Sequence, residues 1–288
     1  MPIFLVNWGF MEQNLKEVLD TAKATLKSSG VPDNRDAEFI LEYVLDTKLT
    51  ALQGRRLTHE ELAKFTALIQ RRASREPLDS ILGGTEFLGL EIPFNKLTLT
   101  PRQETEIMTD SIIRENRHKQ GLKVLDLCSG SGCIGLAIAK ALPDSIVTLV
   151  DISEDTLNIA RENARRNNVN VKFLKSDLFE NIEGRFDIII SNPPYIPTGD
   201  ISSLEKEVLD YDPVLALDGG KDGLDLYRQM AQDVDTYLNK NGLVYMEFGM
   251  GQSPDIIDIF KDSLDNIEII KDYSGIDRYL KARKKNVN

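Results

Sequence analysis

The chain has 288 residues, enough for about two domains at roughly 150 residues each. Lys and Arg total 35 against 46 Asp and Glu, a net charge of −11, which disfavours gripping nucleic acid by counterion release. The apolar runs are no longer than strands, so no membrane span is expected. Two cysteines, Cys128 and Cys133, are too few for a disulfide framework and point to a reducing compartment, the cytoplasm.

Met1–Phe10 is apolar but lacks the basic region and cleavage site of a signal peptide, and Met11 offers an alternative start. Leu15, Val18, Leu19, Ala22 and Leu26 then recur at helical spacing. Asp33 is placed to cap a second helix with Ala37, Ile40, Leu41, Val44 and Leu45 inward. Thr58 and Glu61 fit a capping box ahead of Leu62, Phe65, Leu68 and Ile69. Residues 1–76 therefore read as a helical domain.

From Pro77 the texture changes. Gly83, Gly84 and Gly89 punctuate Ile81–Ile92, and Leu97–Thr100 alternates, so residues 77–100 read as a β-hairpin linker. Pro101 leads into a helix near Glu104–Asn116. Beyond Gly121, apolar runs at 122–127, 146–150, 171–174, 186–191, 243–248 and 267–270 alternate with amphipathic stretches near 133–141, 154–167, 223–239 and 252–262. That alternation predicts an α/β fold over 101–288, a mostly parallel sheet with helices on both faces. Ligands of such sheets bind beyond the carboxyl ends of the strands. Lys281–Lys285 reads as a solvated basic end.

The first strand runs into Cys128-Ser129-Gly130-Ser131-Gly132, and Gly130, Gly132 and Gly135 match G-x-G-x-x-G. A tight strand-to-helix turn without ligand is the plain alternative. Asp126, ahead of the glycines, would repel a pyrophosphate but would welcome an ammonium or sulfonium; S-adenosylmethionine carries both. Asp151 closes the second strand, where a carboxylate can accept from both hydroxyls of a ribose. It competes with Ser153 as cap of the following helix. Asp177 follows the third strand, where it can meet an adenine amino group, with Leu178 against the ring; by itself an Asp there is a turn residue.

The fourth strand ends in Asn192-Pro193-Pro194-Tyr195. A planar NH2 needs two acceptors, and the Asn192 side chain and the Pro193 carbonyl can supply them. Prolines preset the backbone that carries those carbonyls. Tyr195 offers a ring face to an amide or base plane. An amide nitrogen is a poor nucleophile. Two acceptors hold it in line with a sulfonium methyl and favour the charge that develops on it. The same acceptors suit the exocyclic amine of adenine or cytosine.

The chain resembles the glutamine-N5 methyltransferases that modify peptide-chain release factors, the HemK/PrmC family. Pro101-Arg-Gln-Glu-Thr-Glu106, Asp126–Gly132, Asn192–Tyr195, Asp222-Gly223-Leu224, Glu247–Gln252 and the set Asp272, Gly275 and Arg278 carry the resemblance. It implies a class I (Rossmann-like) methyltransferase domain with a seven-stranded sheet, and a helical domain that recognises substrate. It implies S-adenosylmethionine held by Cys128–Gly132, Asp151, Leu178 and Asn192, and no metal. The implied substrate is the glutamine of the Gly-Gly-Gln tripeptide of class 1 release factors, a step in translation termination. Asp79-Ser80 and Cys128 depart from the family pattern, which usually has Gln-Tyr and glycine there.

Three other readings are weaker. Methylation of DNA or RNA bases is disfavoured by the acidic charge and by the lack of a target-recognition segment. A non-catalytic termination factor leaves the cofactor loop beside Asn192–Tyr195 unexplained. A nicotinamide oxidoreductase fits only the three glycines.

Overall fold

The computed structural model describes residues 14–32, 35–51 and 55–285; Met1–Phe10, Met11 and Asp33 lie outside the described residues. The chain divides into two compact units, Met1–Gly83 and Gly84–Asn288.

The described residues of the first unit include helices α1 (Leu15–Ser28), α2 (Asp36–Leu45), α3 (His59–Ala73) and α4 (Leu78–Leu82). Val18, Ala22, Leu26, Ile40, Leu41 and Phe65 form its core, at the helical spacing read from the sequence. The capping box stands as expected: Thr58 Oγ1 accepts from the Glu61 N–H, and Glu61 Oε2 accepts from the Thr58 N–H at 2.8 Å. Asp36 and Arg72 form a buried ion pair at 2.6 Å between α2 and α3. The expected hairpin region begins later than Pro77, because Leu78–Leu82 is a helix whose Ile81 joins this core.

The second unit opens with a hairpin, β1 (Gly84–Phe87) and β2 (Leu90–Pro93). Leu88 and Gly89 both take positive φ, as a two-residue hairpin turn of the primed type requires. Phe87, Leu90 and Ile92 are buried in the unit's main core, so the hairpin is part of that core. Next come α5 (Gln103–Asn116), β3 (Lys123–Leu127), α6 (Cys133–Ala141), β4 (Ile146–Asp151), α7 (Glu154–Arg166), β5 (Lys172–Lys175) and β6 (Phe186–Ser191). Then follow α8 (Lys206–Tyr211), α9 (Asp225–Asp233), β7 (Leu238–Glu247), α10 (Ser253–Phe260), β8 (Leu264–Lys271) and β9 (Asp277–Lys284).

The strands make one seven-stranded sheet in the order β5-β4-β3-β6-β7-β9-β8. All neighbours are parallel except β9, which runs antiparallel to β7 and β8. Val124, Ile188, Ile190 and Tyr245 face α5, α6 and α7; Leu125, Leu127, Ile189 and Val244 face α9 and α10. Cover on both faces explains why the central strands read as unbroken apolar runs. Strand order reverses between β3 and β6, the place where such sheets bind ligands.

Two further expectations change. Lys281–Lys284 belongs to β9, with Leu280 and Ala282 buried beneath it, because the lysines alternate with inward residues. The helix expected over 223–239 ends at Asp233, and β7 begins at Leu238. Among the described residues no helix is long and apolar enough to cross a membrane.

Candidate active site

β3 ends at Leu127, and the loop Cys128–Gly132 leads into α6. Gly130 and Gly132 stand at φ +56° and +79°, left-handed backbone that glycine adopts without a steric penalty. A Cβ on Gly132 would meet Leu149 Cδ1 at 2.9 Å, whereas one on Gly130 would meet open space. Of the eight non-glycine residues with positive φ among the described residues, two stand at these strand ends, Cys128 at φ 56° and Leu178 at 41°. Such strain costs on the order of 1–3 kcal/mol and clusters at functional sites.

These strand ends surround a cavity of about 600 Å³. Cys128, Ser129, Gly130 and Ser131 line it after β3, Asp151 after β4, Asp177 and Leu178 after β5, and Asn192 and Pro194 after β6. Four expected site residues, Asp126, Gly132, Pro193 and Tyr195, are not in its wall.

Asp151 Oδ2 accepts from the Gly130 N–H and its Oδ1 from the Ser153 N–H, both at 3.0 Å. Burial raises its carboxyl above the ordinary range. Ser153, not Asp151, caps α7: its Oγ accepts from the Thr156 N–H at 3.3 Å. The Asp151 carboxylate is therefore committed to the loop and the cavity.

Asp126 departs from its expected place beside a cationic ligand. It lies two residues after Val124 on β3, on the same face, and α6 covers it completely. Its Oδ2 accepts from the Gly135 N–H at 2.9 Å, while Oδ1 has no hydrogen-bond partner among the described residues. Burial pushes its pKa up to about 7. Asp126 thus fastens the start of α6 to β3 from below.

Beyond β6, Asn192 Nδ2 donates to Thr105 Oγ1 at 3.2 Å, and Thr105 Oγ1 donates to Glu247 Oε2 at 2.7 Å. Thr105 and Glu247 are buried. Burial pushes Glu247 up to about 7; Glu104 adds to the rise, while Thr105, Arg278 and Asn192 oppose it.

The Asn192–Tyr195 turn is braced from behind. Gln252 Nε2 donates to the Tyr195 carbonyl at 2.9 Å, and the Gly249 N–H donates to Gln252 Oε1 at 2.8 Å. A Cβ on Gly223 would sit 2.2 Å from the Tyr195 carbonyl oxygen, so only glycine allows the approach. The Tyr195 ring packs against the core on the α9 and α10 side of the sheet, and burial raises its hydroxyl pKa.

The structure also places the acidic and basic groups that the sequence left without roles. Arg102 lines the cavity and pairs with Asp212 at 2.6 Å. Glu104 lies 3.8 Å from Arg278. Glu106 Oε1 accepts from the Leu88 N–H at 3.0 Å and so holds the hairpin turn. Sequence reasoning gave no role to the cavity walls at Leu97–Leu99 and at Pro213, Leu215 and Ala216, nor to Thr105 and Glu247. Glu247 did carry a signal, a carboxylate at the end of a buried strand.

The family model for the PrmC N-terminal domain matches residues 17–83, and that for the methyltransferase small domain matches residues 103–209. A release factor glutamine methyltransferase of Geobacter sulfurreducens is 38% identical over 275 residues, covering 93% of this chain and 96% of its own. That of Agrobacterium fabrum is 40% identical over 277 residues, covering 92% and 96%. The chain belongs to the release factor glutamine methyltransferase family.

Among solved structures, a methyltransferase from Pyrococcus furiosus is similar at a TM-score of 0.51 and 22% identity, over 68% of this chain and 89% of that one. The T. thermophilus 16S rRNA N2 G1207 methyltransferase, in complex with AdoMet and guanosine, gives 0.51 at 18% identity, over 70% and 49%. These likenesses show the fold, a class I methyltransferase sheet. As a release factor glutamine methyltransferase, the protein is an enzyme whose methyl donor is S-adenosylmethionine. The cavity fits that donor: Gly130 leaves an open face, Asp151 supplies acceptor oxygens, and the buried Ser129 hydroxyl has no partner among the described residues.

Proposed function

We propose that this enzyme methylates the side-chain amide nitrogen of the glutamine in the Gly-Gly-Gln tripeptide of class 1 peptide-chain release factors. One observation carries the reading. The NH2 of Asn192 is tied to Thr105 at the cavity wall, so its carbonyl oxygen is the end left to meet an incoming N–H. That suits a substrate that donates, as a primary amide does.

In this reading Asp151 accepts from the ribose hydroxyls of the donor, and Asp177 and Leu178 take the adenine. The backbone of Cys128–Gly132 approaches the methionine part. When bound, S-adenosylmethionine supplies an electrophilic methyl on a positively charged sulfur. Asn192 Oδ1 at the cavity wall and the Pro193 carbonyl, set back from it, hold the accepting nitrogen by its two hydrogens, in line with that methyl. The developing positive charge on nitrogen then meets two preset acceptors. The amide proton leaves to solvent after transfer. Pro194 and Tyr195 keep the turn rigid, Tyr195 through its carbonyl on Gln252.

The helical domain, 1–76, serves as the partner-recognition module, and 101–288 carries the chemistry. The net charge of −11 suits a basic RNA-binding protein as partner rather than RNA itself. If so, high salt weakens release-factor binding. The enzyme works in the cytoplasm, where release factors act. The test is to incubate it with labelled S-adenosylmethionine and a purified class 1 release factor and to map the methyl by mass spectrometry. The label is expected on the Gly-Gly-Gln glutamine; a label elsewhere, or in nucleic acid, overturns the reading.

A further inference from the structure

Thr105 and Glu247 lie 142 positions apart, on α5 and at the end of β7, yet meet behind Asn192. They are 2% and 3% exposed, so bulk water does not compete for their hydrogen bonds. We propose that Thr105 and Glu247 are positioning residues that fix which way round the Asn192 amide stands, so that its carbonyl oxygen and not its NH2 meets the nitrogen accepting the methyl. The proposal rests on the amide-methyltransferase reading above.

The argument is one of proton count. A hydroxyl carries one proton. Thr105 gives it to Glu247 Oε2 at 2.7 Å, and an ionised carboxylate can only accept. What Thr105 then presents to Asn192, at 3.2 Å, is lone pairs. Asn192 must answer with N–H, and its carbonyl turns the other way. Were the relay reversed, Asn192 would present two N–H groups to a substrate amide that itself donates. Both members are held from outside: the Thr109 hydroxyl donates to the Thr105 carbonyl at 2.8 Å, and the Tyr227 hydroxyl to the Glu247 carbonyl at 2.6 Å.

The direction of the relay depends on Glu247 being ionised. Its surroundings oppose one another: Glu104 disfavours the charge, while Arg278 favours it. The Tyr195 and Tyr227 hydroxyls and the Cys133 thiol also lie within its field. Burial pushes it up to about 7. A protonated Glu247 can donate to Thr105 and reverse the relay. Transfer should therefore be full above that value and decline as pH falls through it.

Thr105→Val, Thr105→Ser and Glu247→Gln test this with two measurements. The first is nuclear magnetic resonance of asparagine-labelled enzyme, with the Asn192 NH2 signal identified by its loss in Asn192→Ala. In the wild type and Thr105→Ser that NH2 should exchange slowly, and its wild-type shift should titrate near neutral pH. In Thr105→Val exchange should quicken about tenfold or more, and in Glu247→Gln the titration should vanish. The second is steady-state transfer to a purified class 1 release factor. Thr105→Val and Glu247→Gln should lose about 10- to 100-fold in kcat with KM little changed, and Thr105→Ser should recover most of the loss. Glu247→Gln should also lose the acidic limb of the kcat profile.

An Asn192 signal with the same exchange and pH response in every variant overturns the relay, even if the wild type methylates its substrate. If the wild type transfers no methyl to the release factor, the function reading fails, and the resonance measurement alone decides the relay. The Glu247→Gln arm stands even if Thr105→Val does not fold.

Discussion

Asp151 accepts the Gly130 amide proton at 3.0 Å, so the carboxylate closing β4 also holds the loop that follows β3. One residue thereby shapes the loop and offers oxygens to the cavity. Asp151→Ala should weaken S-adenosylmethionine binding roughly ten- to hundredfold, the value of about 1.5–3 kcal/mol for hydrogen bonds to a charged group. Calorimetry on the purified enzyme measures it, and an unchanged affinity contradicts the ribose assignment.

Asn192 separates chemistry from donor binding. Asn192→Ala should lower transfer to a release factor by about 100-fold or more, the scale of removing one preorganised polar partner. Donor affinity should stay within about threefold of the wild type. Normal methylation by that variant would refute the role.

Much of this could be read from residues alone. Alternating apolar runs announced the parallel strands, because both sheet faces are covered and Val124, Leu125, Leu127 and Ile188–Ile190 are all buried. The Thr58 and Glu61 pair was legible because a capping box is a local device. What was not legible depends on which way a side chain faces. Asp126 stands at the expected strand end, but strand alternation turns it under α6. The placement of β9 between β7 and β8 was hidden because Lys281 and its neighbours look like a solvated tail until their inward partners are seen. The Thr105 and Glu247 contact is set by tertiary packing, and no local pattern records it.

Cys128 stands at φ 56°, left-handed backbone in which glycine carries no steric penalty. Cys128→Val places a β-branched side chain in left-handed backbone and should destabilise the protein by about 1–3 kcal/mol. Cys128→Gly should fold with donor affinity unchanged. Urea unfolding of both variants decides; equal stability of valine variant and wild type would show that the loop relaxes. The Cys128 thiol itself, pushed up to about 12 by burial and by Asp151, is expected to be slow toward thiol reagents.

Asp126 makes stability depend on pH. Burial holds it protonated up to about 7, against an ordinary value of 3.8. Folding therefore takes up a proton between those values, so the group's contribution falls as pH rises through that window and is lowest above it. Asp126→Asn stays neutral and can still accept from Gly135. Its stability relative to the wild type should rise by about 1–3 kcal/mol between about pH 5 and about pH 8. A difference that stays flat with pH removes the assignment.

In the helical unit, Arg72→Ala removes the buried 2.6 Å ion pair with Asp36. Loss of one member of a buried pair costs about 3–5 kcal/mol. Thermal unfolding of the full chain should show the loss in the helical unit, while donor binding persists.

The two halves of the cavity differ in how far along the chain they reach. The wall after β3, β4 and β5 draws on Cys128 to Leu178, neighbours in successive strand-loop turns. The wall at Asn192 is backed by Thr105 and Glu247, which meet across 142 positions. Joining positions so far apart costs loop-closure entropy, which the packing between them must offset. The hold on Asn192 therefore depends on the whole length of the second unit from α5 to β7, whereas the Cys128–Leu178 wall is built within one stretch of it.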